Sequence, residues 1–219
     1  MTTPSFVRTG ETTLYSPIGL RLVDDFTGRA PHDQVVAELD VRESSGRWQG
    51  LDREPVMTPS GVITYPGLGR TVDVASAPLL KYRVRVLSEF YRAAFLRMAD
   101  GLEFDVHPYD DETPPAVITT HPQKVPLLPG FSYRFPGHVR VLRGQVVDVA
   151  GPVANVEISA GLNERVLSDE RGLFGLPLRW SPLIGVVAVD AVDVRTGRTK
   201  SLDFNLPGDL ARGHVITLS

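Results

Sequence analysis

The feature that most constrains this chain is that its second half repeats the order of its first. "VDDFTGRAPHDQVVAEL", beginning at Val23, is answered by "VVDVAGPVANVEI", beginning at Val146. "TPSGVITYPGLGR" (58–70) then matches "SDERGLFGLPLRW" (168–180), and "YRVRVLSEFY" (82–91) matches "VVAVDAVDV" (186–194). "LEFDV" (102–106) is answered by "LDFNL" (202–206), and "AVITT" (116–120) by "HVITL" (214–218). Five blocks recurring in one order read as internal duplication. Gly28 and Gly61 are 33 residues apart whereas Gly151 and Gly172 are 21 apart, so the first copy carries extra sequence, chiefly at 42–57. Such an insertion is expected in a surface loop, where added length costs little.

Each block has the period of a strand. Tyr82, Val84 and Val86 alternate with Lys81, Arg83 and Arg85, and Ala37, Leu39 and Val41 alternate with Glu38, Asp40 and Arg42. Alternation of this kind marks a half-buried strand. Asp-x-x-Gly between strands is turn chemistry, and 20 Gly with 18 Pro supply frequent punctuation. The predicted fold is all-β, two β-sandwiches in tandem. An arm at 1–13 precedes a first sandwich at 14–120, and a Pro-rich linker at 121–137 leads to a second sandwich at 138–219. Helical spacing competes over 87–101. The repeat favours strand for 82–91 and leaves 92–100 as one helical turn or an irregular hairpin tip.

The pattern around Gly144 resembles the carboxypeptidase-regulatory-like module, a transthyretin-like (prealbumin-type) and Ig-like β-sandwich. Gly144, Val146, Asp148, Gly151, Pro152, Val153, Val156 and Ile158 follow its first motif, and Ser168, Asp169, Gly172 and Phe174 its second. In the first half Pro59 stands for the Asp of that motif and Ile63 for the Phe. The resemblance implies an accessory module that folds, spaces and docks, with no catalytic residue to transfer. More loosely, the chain is similar to small β-sandwich proteins of phage-tail-like contractile particles.

A formal charge of −3 argues against a nucleic-acid footprint. No run of 18 apolar residues predicts a membrane span, and the start has neither the apolar run nor the basic region of a signal peptide. Without cysteine there are no disulfides or thiolate sites, which fits a cytoplasmic protein or a component of an assembled particle.

Candidate chemistry is sparse. "DVHPYDDE" (105–112) gathers carboxylates that could suit Ca²⁺, but Pro108, Pro114 and Pro115 and the lack of an EF-hand glycine favour a polar loop. The five histidines lack metal-ligand spacing, and no nucleophile motif is present, so no metal, cofactor or enzymatic activity is expected. Two features exceed what a sandwich needs. One is the pair Arg47–Trp48, placed in the inserted loop, and the other is the tip carrying Phe95, Leu96 and Met98. Aromatics and Arg are favoured interface anchors, whereas the bland alternative makes Trp48 and Trp180 caps on their own cores. The expected function is a non-enzymatic structural or adaptor protein with protein partners, a homo-oligomer among them. A carbohydrate- or surface-binding module using Trp48 is the alternative.

Overall fold

A computed structural model describes residues 14–115 and 121–219. The arm expected at 1–13 and the block 116–120 lie outside the described residues. The first half contains β1 (Gly19–Asp24), β2 (Val36–Arg42), β3 (Trp48–Leu51), β4 (Val56–Met57), β5 (Val62–Thr64), β6 (Leu80–Leu87), β7 (Tyr91–Ala93), the 3₁₀ turn η1 (Ala94–Arg97), β8 (Leu102–Val106) and β9 (Gln123–Pro129). The second contains β10 (Val141–Asp148), β11 (Gly151–Pro152), β12 (Glu157–Ala160), β13 (Glu164–Leu167), β14 (Leu173–Pro177), β15 (Gly185–Asp193), β16 (Arg198–Leu206), the 3₁₀ turn η2 (Gly208–Ala211) and β17 (His214–Thr217). The fold is all-β, and among the described residues no helix is long and apolar enough to cross a membrane.

Strand order corresponds between the halves. β3-β2-β6-β8 forms one four-stranded sheet, and β13-β12-β15-β16 forms the other. In the facing sheets β1 pairs antiparallel with β5 and parallel with β9, as β10 does with β14 and β17. The alternation read in the sequence sets the inward faces: Leu39 sits opposite Val84, and both are buried. Two cores result. Leu20, Leu39, Tyr65, Val84, Tyr91 and Leu127 belong to the first, and Leu142, Val146, Ile158, Phe174, Val189 and Ile216 to the second. Phe174 and its counterpart Ile63 are both buried. The Phe174 ring occupies the space a side chain at Gly144 would need, since a Cβ there would lie 2.6 Å from the ring.

Four expectations need correction. First, Thr58 and not Pro59 takes the place of Asp169. Thr58 Oγ1 accepts from the Val62 N–H at 3.1 Å, as Asp169 Oδ1 accepts from Leu173 at 2.8 Å. The backbone bonds Gly61 N–H to Thr58 O and Gly172 N–H to Asp169 O are also equivalent. Second, 42–57 is not merely loop: a turn over Glu43–Arg47 folds β3 back onto β2, placing Trp48 on an edge strand opposite Arg42. Third, 82–91 is not one strand. The chain leaves β6 at Leu87 and joins the opposite sheet as β7, a corner held by Ser88, which bonds Gln34 O and the Phe90 N–H. Fourth, 121–137 is not a linker. β9 lies between β1 and β7, Val125 and Leu127 enter the first core, and Tyr133 follows them. The prolines at 126 and 129 forgo an N–H but keep the extended backbone a strand needs.

Candidate functional site

The outward face of β3-β2-β6-β8 carries the Trp48 region. Asp40 points outward yet is only 2% exposed, because Arg83 and Arg85 close over it at 2.6 and 2.9 Å. Burial opposes its charge, but Arg85 and Arg83 outweigh that effect and hold the carboxyl below its usual range. The Arg83 guanidinium lies 4.7 Å from the centre of the Trp48 ring and Arg42 lies 5.9 Å away. The ring is therefore already stacked on cations, while Arg47 is exposed in the adjoining turn. The expected tip divides as well. Phe95 and Leu96 pack against the first core and only Met98 is well exposed.

That tip lies at the junction of the two sandwiches, which arginines from both sides close. Arg92 donates to Glu170 and Asn155, Arg97 pairs with Glu157 at 2.8 Å, and Arg195 reaches Leu96 O at 2.6 Å and Asp100 at 2.9 Å. From the second half, Arg165 pairs with Asp25 at 3.2 Å. Arg179 lies 4.1 Å over the Phe26 ring and donates to Phe26 O at 2.6 Å. A cleft of about 620 Å³ opens beside Arg92, but its arginines, Arg85 and Arg92, are already paired with carboxylates.

One buried cluster has the residue types of acid–base chemistry. Asp24 is fully buried and accepts from Tyr133 at 2.9 Å and Tyr91 at 3.3 Å, and Tyr91 Oη lies 2.8 Å from His32 Nδ1. Burial pushes the Tyr91 hydroxyl up to about 12 and raises that of Tyr133, with the Asp24 charge acting in the same direction. Both phenols therefore stay protonated and serve as donors. Asp24 also accepts from the Phe26 and Thr27 N–H groups, so its oxygens are engaged in holding a turn.

One end of the second sandwich gathers exposed apolar residues that have no role in the fold. Leu162 is 97% exposed, Trp180 73%, Leu183 74%, Ile184 79% and Val186 58%. They lie in the β12–β13 turn, in the β14–β15 connection and at the start of β15. The connection is rigidly tied. Arg140 donates to Leu178 O at 3.1 Å and to Ser181 O and Pro182 O at 2.7 Å. Buried Glu164 accepts from the Trp180 N–H at 2.6 Å and Ser181 Oγ at 2.8 Å. Arg179 turns in to the junction while its neighbour Trp180 turns out. Of these exposed residues the sequence reading weighed only Trp180. The overlooked signal was "WSPLIG": Pro and Gly mark a loop, and a loop cannot bury every apolar residue it carries.

The carboxylates of 105–112 are dispersed among local partners. Asp105 pairs with Lys81, Asp110 caps its own turn and Asp111 pairs with Arg70. Among the described residues no group of three or more His, Asp or Glu is placed to hold a metal ion. No family model, curated protein or solved structure matches this chain.

Proposed function

We propose that the protein is a non-enzymatic structural component that works by docking to other proteins in a larger assembly. The single observation that carries this reading is the pinned apolar end around Trp180. Exposed apolar patches of several hundred Å² mark interaction surfaces. Here the loop's conformation is fixed in advance by Arg140 and Glu164, which lowers the ordering cost of binding. The polar chemistry elsewhere supports the same reading, because Asp24, Asp40 and the junction arginines have their hydrogen bonds within the chain. The two sandwiches act as one body that presents this end.

A photo-crosslinking residue placed at 183 in the native host tests the reading, with position 44 in the exposed β2–β3 turn as control. A discrete protein adduct at 183 and none at 44 is expected. No discrete adduct at 183 would defeat the docking function.

A further inference from the structure

We infer that the apolar end pairs with the same end of a second copy of this chain, a step that rests on the docking reading above. The end carries two complementary shapes. Leu183 and Ile184 form an exposed ridge, and a hollow of about 290 Å³ lies between the Leu162 turn, Trp180 and Val186. A surface that holds both a ridge and a hollow suits an isologous contact, in which each copy seats its ridge in the other's hollow. Charge supports the same occupant. Leu162, Trp180, Pro182, Leu183, Ile184 and Val186 bear none, and the nearby Glu164 is buried with both oxygens engaged. Like charges facing each other near a twofold axis would repel, but the two guanidiniums beside the patch are turned to the chain, Arg140 to the Leu178, Ser181 and Pro182 carbonyls and Arg179 to Phe26. A patch of this make-up is on the order of 600 Å². Doubled across the axis it comes to about 1,200 Å², the lower bound of a standard stable interface.

Sedimentation velocity of the full chain over the micromolar range is the test. We expect a concentration-dependent monomer–dimer equilibrium, weakened about thirtyfold or more by Leu183→Asp and by Trp180→Ala. Met98→Asp, an exposed apolar site on the other sandwich, leaves it unchanged. Circular dichroism of each variant checks folding. A Trp48→Phe chain keeps Trp180 as its single indole, whose emission shifts to the blue as the dimer forms, so the contact is also read without disturbing the patch. A monomer at every concentration, or a dimer indifferent to both patch variants, overturns self-pairing. A monomer whose position-183 crosslink captures a different protein overturns self-pairing and leaves the docking reading standing. A monomer with no adduct removes both.

Discussion

Asp24 and Asp148 hold the same turn in the two sandwiches, and their second oxygens are satisfied by different chemistry. One oxygen of each accepts two backbone N–H groups, from Phe26 and Thr27 at 2.8 and 3.3 Å and from Ala150 and Gly151 at 2.7 and 3.2 Å. The other oxygen of Asp24 faces the neutral phenols of Tyr91 and Tyr133, whereas that of Asp148 faces Arg198 at 2.8 Å. A fully buried carboxylate depends on every donor it has, so Tyr133→Phe is expected to cost about 1–3 kcal/mol. The ring remains to pack on Phe26, Phe135 and Tyr91, so the loss isolates the hydroxyl. A urea midpoint equal to wild type would show that the bond contributes nothing. Phe174→Ala acts through volume instead: it empties a fully buried site against Gly144 and is expected to cost about 3–5 kcal/mol by the same measurement. An unchanged midpoint there would remove Phe174 from the core.

Turns, more than strands, tie the sheets of the second sandwich together. Arg198, at the start of β16, bonds Asp148 at the end of β10 and Asp193 at the end of β15, so one guanidinium bridges both sheets. The Arg198 hydrogen bond and the Ala150 N–H lower the Asp148 carboxyl. Burial opposes the charge on Asp193, but Thr196 and Arg198 outweigh it and its carboxyl is lowered too. Both ordinarily titrate near 3.8, so at lower pH the unfolded chain binds protons that the folded chain still excludes. Their contribution is therefore complete above that value and is lost as pH falls through the depressed folded values. Arg198→Met should flatten the decline in melting temperature between about pH 5 and about pH 2. A decline as steep as in wild type would show that the bridge does not set acid stability. Elements of this kind were legible because Asp-x-x-Gly and strict alternation, as in "KYRVRVL", are local signals. β3 was not, since Gln49 and Gly50 on an edge strand need no apolar alternation. β9 was hidden by its prolines, and the apolar end by a choice of direction. Nothing local to "RW" says that Arg179 turns inward and Trp180 outward; the Phe26 ring in the other half decides it.

At the scale of the whole molecule, each sandwich has its own core, and the halves meet through the arginine junction beside a direct contact of β9 with β13. The exposed pairs contribute little singly, about 0–1 kcal/mol each, and salt screens them. Arg92 and Arg179 differ from them. The Arg92 side chain is 13% exposed with donors on Glu170 and Asn155, and Arg179 combines a ring contact with a carbonyl bond. Each has a buried Nε without a partner, so its terminal nitrogens offset that cost only while the halves are docked. Replacing both by Ala is expected to weaken the coupling by about 3–6 kcal/mol, taking about 1.5–3 per site for charge-assisted bonds. Neither core is touched, so each half should keep its own cooperative transition. Calorimetry should then resolve two transitions where wild type gives one, and small-angle scattering should report a larger radius of gyration. High salt alone should not split the wild-type transition, because a ring contact and a carbonyl bond are not screened as exposed ion pairs are. A single transition with unchanged scattering in the double variant would place the coupling in the contact of β9 with β13 instead of in the arginines.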